Sequence, residues 1–164
     1  MGGKLGGRRM TLAEADSYAE VFREMFWKTA IVHVTGSTRR RCQEVSDLDL
    51  VILPNDGQAA ATNAKLIELF GHLKSSKKKP KRSGLYDDIQ VDVLVATEEN
   101  LGTHLMHFTG SQAENIRLRG IARARGWKLS QLGVFDGTTN LAAGMSEEEV
   151  YRLLGERFVR PEDR

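Results

Sequence analysis

Ser46-Asp47-Leu48-Asp49-Leu50-Val51-Ile52-Leu53 is an apolar, β-branched run that opens on two aspartates one residue apart. Read as a strand over Leu48 to Leu53, it alternates its side chains between two faces. Asp47 and Asp49 therefore project from one face with their carboxylates close together. Two like charges held that close need a cation between them.

The residues upstream say what such a cation would serve. Ile31 to Thr35 (IVHVT) reads as a second β-branched strand, and it ends at Gly36-Ser37-Thr38-Arg39-Arg40. A glycine at that point lets backbone N–H groups approach a ligand, Ser37 adds a hydroxyl, and Arg39, Arg40 and Arg41 add fixed positive charge. The combination describes a phosphate cradle beside a divalent-metal site. Downstream, Val91-Asp92-Val93-Leu94-Val95 sets one aspartate into an apolar strand, where an isolated charge is costly to bury. If that strand pairs beside the one carrying Asp47 and Asp49, three carboxylates converge. That is the donor set of two-metal nucleotidyl transfer.

Helices are expected on either side of these strands. Thr11 and Glu14 have the spacing of a capping box, and Leu12, Ala15, Ala19, Phe22 and Phe26 form an apolar stripe behind it. After the turn cluster Pro54-Asn55-Asp56-Gly57, residues Ala59 to Leu73 predict a second helix with Ala60, Leu66, Ile67, Leu69 and Phe70 available for the core. Both helices should cover one face of the sheet. Lys74 to Arg82 (KSSKKKPKR) follows, with six basic residues in nine. Beside a phosphate-handling site, Lys77, Lys78, Lys79, Lys81 and Arg82 are candidates for nucleic-acid backbone contacts. The tract lacks aromatic residues, so base stacking is not expected of it.

The final third reads as a separate unit. Gln112 to Arg125 predicts a helix with Ile116, Leu118, Ile121 and Ala122 partly inward and its arginines largely outward. Lys128 to Phe135 is strand or turn, and Ser146 to Leu154 is a capped helix with Glu147, Glu148 and Glu149 in its first turn.

Composition sets outer limits. With 164 residues, 40% of them hydrophobic, the chain is able to bury a core of one domain or two small ones. The net charge is only +2, so nucleic-acid affinity has to come from local patches. Cys42 is the single cysteine, which excludes an intramolecular disulfide. Met1 to Arg9 holds four glycines and three basic residues with no apolar run, the pattern of a flexible tail and of neither a signal peptide nor an anchor. A cytoplasmic protein without membrane partners is expected.

Taken in order, Gly36-Ser37-Thr38-Arg39-Arg40, Ser46-Asp47-Leu48-Asp49, Val91-Asp92, and Phe108-Thr109-Gly110-Ser111 followed by Asn115 and Arg119 resemble the DNA polymerase X family, the DNA polymerase beta group. The resemblance runs from about Arg8 to the closing Pro161-Glu162-Asp163-Arg164. It implies an α+β fold: a nucleotidyltransferase-type palm with a small mixed sheet and two covering helices over residues 10–106, after a tail at 1–9. A small helical and β thumb would follow over 107–164. Because 35 residues precede Gly36, a minimal palm-plus-thumb member without lyase and fingers domains is expected.

The resemblance also assigns roles. Asp47 and Asp49 would bind two Mg²⁺ ions, for which Mn²⁺ substitutes, and Asp92 would hold the catalytic ion and help deprotonate a primer hydroxyl. Gly36, Ser37, Arg40 and the Ser46 backbone would hold the triphosphate. His107, Phe108 and Gly110 would frame the sugar, with backbone crowding the 2′ position, and Asn115 and Arg119 would face the minor-groove edge of the nascent pair. The implied activity is DNA-directed DNA synthesis by a monomer, adding dNTPs to a primer 3′-OH on primer-template or gapped DNA in repair.

Two departures stand out. Relatives commonly have an aromatic pair where this chain has His107-Phe108, and an arginine where it has Gln90. Gln90 is able to donate a hydrogen bond to Asp92 but not to act on it by charge. Two other readings remain open at this point: a template-independent nucleotidyltransferase acting on RNA, protein or a small molecule, and a non-catalytic DNA-end-binding module.

Overall fold

The computed structural model describes residues 6–71 and 81–164. They divide into two compact units, Met1–Val95 and Ala96–Arg164.

In the first unit, β1 (Met10–Thr11) leads into α1 (Leu12–Phe26), which Thr11 and Glu14 close with a complete capping box. Four of the five stripe positions do what their spacing predicts, because Ala15, Ala19, Phe22 and Phe26 are all buried while Leu12 is half-buried. After β2 (Ala30–Val34) comes α2 (Gly36–Arg39), a single turn. It is followed by β3 (Glu44–Val45), β4 (Asp47–Pro54) and α3 (Ala59–Phe70). The unit ends with the hairpin β5 (Lys81–Tyr86) and β6 (Ile89–Val95). Its main sheet has the order β2-β4-β6-β5, with β4 and β6 parallel and the other pairs antiparallel. β1 and β3 form a separate two-stranded ribbon.

Alternation along β4 and β6 sorts the unit into a core face and a chemical face. Leu48, Leu50, Ile52, Val91 and Val93 join Phe22, Phe26 and Leu66 in one buried cluster. Both helices therefore pack on the same side of the sheet. The inward positions of α3 differ from the expected set: Thr62 and Leu66 are buried while Ala60 is exposed. Thr62 Oγ1 donates to Thr29 O at 3.1 Å, and that bond turns the helix onto its Thr62–Leu66 edge. α3 also stops at Phe70, with Gly71 at its C-terminal cap.

Asp87 and Asp88 make the β5–β6 connection, and both have positive φ (50° and 61°), as a two-residue type I′ turn requires. Tyr18 Oη donates to Asp87 Oδ2 at 2.6 Å and fixes the turn to α1. The amino-terminal segment is tied there as well. Arg8 N donates to Asp88 O at 2.8 Å, and Arg8 Nη1 pairs with Glu14 at 2.9 Å. The expectation of a loose tail through Arg9 is thus corrected at Arg8, and the part before residue 6 lies outside the described residues.

The second unit contains α4 (Leu101–Thr109), α5 (Gln112–Ala124), the antiparallel sheet β7 (Lys128–Ser130), β8 (Gly133–Asp136) and β9 (Thr139–Asn140), then α6 (Glu147–Leu153). Met106, Leu118, Ala122, Val134, Val150, Tyr151 and Leu154 form its core. Arg164 closes that core. Its fully buried side chain pairs with Glu147 at 2.7 Å and lies over the Tyr151 and Phe158 rings.

The expected boundary after residue 106 falls eleven positions later than the observed division at Val95. α4 belongs with the second unit because Gly102 lies flat on the start of α6. A Cβ there would sit 2.2 Å from Met145 O. On α5, Leu118 and Ala122 are inward as expected, whereas Ile116 is exposed. Arg117 is committed to Glu114 and Glu156, at 2.8 and 2.5 Å.

Candidate active site

The carboxylate cluster is a product of strand register. β4 and β6 run parallel with Asp49 opposite Asp92 and Asp47 opposite Gln90. Cross-strand partners share a face, so Asp47, Asp49, Gln90 and Asp92 form one patch. A ligand oxygen from each of Asp47, Asp49 and Asp92 lies within 4.8 Å of the others. Asp92 is 1% exposed.

Electrostatics follow from this crowding. Asp49 is pushed up from 3.8 to about 7, first by burial and then by the charges of Asp47 and Asp92; Lys81 and Arg40 partly oppose the rise. Gln90 Nε2 donates to Asp92 Oδ1 and Oδ2 at 3.3 and 3.4 Å. The charged partner of Asp92 comes from the neighbouring strand, where the Lys81 ammonium makes an ion pair with Oδ2. Three hard oxygen donors on one face fit Mg²⁺ or Mn²⁺ and suit neither soft nor thiolate-seeking metals.

Gly36 is built against this cluster. Thr35 N and Thr35 Oγ1 both donate to Asp49 O, at 2.9 and 3.1 Å, which joins the end of β2 to the start of β4. The chain then turns at Gly36 with φ +61°, and a Cβ on that residue would lie 2.1 Å from Asp49 Oδ2. Only glycine fits there. Ser37, in α2, and Ser46, just before β4, are half-buried beside it. Ser37 O accepts from Cys42 N at 3.0 Å, which folds the arginine loop back on itself. Arg40 is close enough to Asp49 to affect its ionisation. Arg41 turns away and grips Asp16 of α1 at 2.9 and 3.0 Å.

The candidate DNA-contacting tract divides. Lys77, Lys78 and Lys79 lie outside the described residues. Lys81 stands on Asp92, and Arg82 is placed elsewhere again. Its buried guanidinium donates to Gly71 O at 3.0 Å and to Asn63 Oδ1, holding the end of α3 to β5. Arg82 is thus a structural residue and not a phosphate contact in this conformation.

In the second unit, His107 organises the other predicted residues. Asn115 Nδ2 donates to His107 O at 2.8 Å, and Arg119 Nη2 donates to His107 Nδ1 at 3.1 Å. An acceptor Nδ1 requires the neutral ring with its proton on Nε2. His107 is accordingly driven down to about 4, by burial first and then by the Arg119 and His104 charges. The Phe108 ring packs edge-on to His107 with centroids 4.9 Å apart. Gly110 follows at the end of α4, and the Gly110–Ser111 peptide is cis.

Thr35 carries no mark in the sequence beyond the end of its strand, and the contact of Lys81 with Asp92 differs from the DNA contact expected of it. A signal for Lys81 was present. The Asp87-Asp88 pair reads as a two-residue hairpin turn, and counting back from it sets Ser83 opposite Asp92, with Lys81 diagonal to it on the same face.

Comparison with known proteins agrees with this geometry. A family model described as the DNA polymerase beta thumb matches residues 104–164. The chain is 36% identical over 135 residues to the DNA polymerase/3'-5' exonuclease PolX of Bacillus subtilis, covering 79% of this chain and 23% of that protein. It thus spans about a quarter of that relative. It is 26% identical over 136 residues to the repair DNA polymerase X of African swine fever virus, covering 79% of this chain and 78% of the viral protein. In fold it is similar to the polymerase beta of Leishmania infantum, solved in a ternary gap complex, with a TM-score of 0.74 and 20% identity over 96% of this chain and 71% of that one. The motif order, the converging aspartates and these similarities point the same way: the chain is similar to DNA polymerases of the X family, and its residues 104–164 match the polymerase beta thumb.

Proposed function

We propose that this protein is a metal-dependent, DNA-directed DNA polymerase that adds dNTPs to a primer 3′-OH in short gaps or at ends, releasing pyrophosphate. The observation that carries this reading is the Asp49–Asp92 register, which with Asp47 gathers three carboxylates beside a glycine turn. Bound divalent ions would supply Lewis-acid stabilisation of the charge that develops on the transferring phosphoryl group. Asp47 and Asp49 would hold both ions and Asp92 the catalytic one.

The chain's own residues supply the rest. The primer 3′ oxygen attacks the α-phosphorus as the bond to the β-phosphate oxygen breaks, and Asp92 takes the hydroxyl proton. Gly36, Ser37, Arg40 and the Ser46 backbone hold the triphosphate. In the second unit, Phe108 and Gly110 are assigned to the sugar, and Asn115 and Arg119 to the base. Gapped or primer-template DNA is the proposed partner and a monomer the proposed state. Among the described residues no helix is long and apolar enough to cross a membrane.

Primer extension on gapped, recessed and blunt DNA, with Mg²⁺ or Mn²⁺, tests the reading. Incorporation should follow the template base, be greatest on the gap, and fall by roughly three orders of magnitude in Asp49→Asn. Addition that ignores the template would instead support a template-independent transferase, and DNA binding without incorporation a binding module.

A further inference from the structure

Asp92 is almost completely buried, yet its nearest charged partner is a lysine with 37% of its side chain exposed, reaching in from the edge strand β5. Gln90, on the same strand as Asp92, brings no charge. Lys81 therefore brings positive charge directly onto the buried Asp92, and its influence extends to Asp49, on which Arg40 also acts. Register makes this contact an intrinsic part of the fold. Lys81 pairs with Leu94 and Ser83 with Asp92 in a hairpin whose turn is pinned by Tyr18.

We infer that Lys81 is a resident counter-cation of the metal site: in the metal-free protein its ammonium neutralises Asp92, and it competes with a divalent ion for that carboxylate. This rests on the proposal that Asp47, Asp49 and Asp92 hold divalent ions. An ammonium donates protons and has no lone pair, so it is unable to join a metal's ligand set. While it engages Asp92 Oδ2 it occupies a ligand atom and adds repulsion toward an incoming ion. The side chain is long and its flank is open to solvent, so it is able to withdraw without unfolding β5. Lys81 thus stabilises the empty patch and weakens metal loading, a positioning role distinct from the DNA contact expected of it.

The test is Mn²⁺ binding to the full chain without DNA, followed by the paramagnetic signal of free Mn²⁺, for the wild type, Lys81→Met, Lys81→Arg and Asp49→Asn. Lys81→Met should bind Mn²⁺ about tenfold more tightly, and it should melt earlier than wild type in chelator. Lys81→Arg, which keeps the charge, should stay near wild type in both. Equal or weaker Mn²⁺ affinity in a folded Lys81→Met would overturn the inference while leaving the metal site in place. If the wild type binds no Mn²⁺, or Asp49→Asn binds it equally well, the metal reading and this inference fall together. A second measurement avoids dependence on any variant's folding. With lysines reductively methylated with ¹³C, the Lys81 methyl resonance should move during a Mg²⁺ titration with the midpoint of metal binding. A resonance that stays still while the metal loads overturns the inference equally.

Discussion

Asp49 and Asp92 face each other across the parallel pair of β4 and β6, forty-three positions apart in the chain and matched Cα to Cα. Asp49 is raised to about 7 by burial and by its two acidic neighbours. The opposite face of β4 carries Leu48 and Leu50 in the core, whereas a charge held out of water on this face costs free energy unless it is paired. The clustered charge is therefore a cost to folding that a bound cation would offset.

Asp49→Asn should separate stability from activity. The unfolded pKa is near 3.8 and the folded one about 7, so the native protein binds the extra proton between these values. This group's contribution to stability falls as pH rises from about 4 to 7 and is constant above. Melting in chelator across that range should show the variant equal to wild type near pH 4 and increasingly more stable toward pH 7, by about 3 to 8 °C. Template-directed incorporation with Mg²⁺ should fall by roughly three orders of magnitude, the several kcal/mol of charge stabilisation that bound ions supply.

Gly36→Ala tests the cradle. A methyl group at that position meets Asp49 Oδ2 at 2.1 Å, and φ +61° is strained for alanine. The backbone strain alone is about 1 to 3 kcal/mol. A folded, less stable protein is expected, with the turn displaced from Asp49 and both Mn²⁺ affinity and nucleotide incorporation reduced. Unchanged Mn²⁺ affinity would show that the turn and the carboxylates move independently.

Most of the first unit was legible in the sequence because local signals agreed with one another. Period-two alternation around Asp47, Asp49 and Asp92, the Thr11–Glu14 capping box and the Phe22–Phe26 stripe all act within a few residues. What was less legible depends on contacts between distant segments. The inward edge of α3 is set by Thr62 reaching Thr29 O. The division at Val95 is set by Gly102 against Met145. Arg82 resembles its basic neighbours in composition but alternates to the buried side of β5, which only the strand assignment reveals. At the candidate site, residue types marked the carboxylates, whereas the partner of Asp92 required the hairpin register.

Arg82 and the lysines before it should give opposite phenotypes. Arg82→Ala removes two hydrogen bonds from a buried guanidinium and should cost about 2 to 4 kcal/mol of stability, leaving the salt dependence of DNA binding unchanged. Replacing Lys77, Lys78 and Lys79 by glutamine should leave the melting temperature unaffected and flatten the plot of log affinity against log salt by about 0.9 for each phosphate no longer neutralised. Filter binding across a salt series, with thermal melts of both proteins, separates the two. A flattened slope in Arg82→Ala would mean that its guanidinium leaves Gly71 and Asn63 for DNA.

Selection against ribonucleotides should depend on how firmly His107 O is held. Asn115 fixes this carbonyl at 2.8 Å and Arg119 fixes the ring behind it. If the carbonyl crowds the ribose 2′ position, a clash relieved by small backbone movement is of the order of an overpacking penalty, about 1 to 3 kcal/mol, or roughly ten- to a few-hundredfold preference for dNTPs. Asn115→Ala frees the carbonyl and should lower that preference, while His107→Tyr restores a larger packed ring and should raise it. Because His107 is held down to about 4, it is neutral throughout the assay range, and the ratio should not change between pH 6 and 9. Matched dNTP and rNTP incorporation on one gapped template measures the ratio in each protein. Equal efficiencies in the wild type, or a ratio untouched by Asn115→Ala, would remove the His107 carbonyl as the discriminating group.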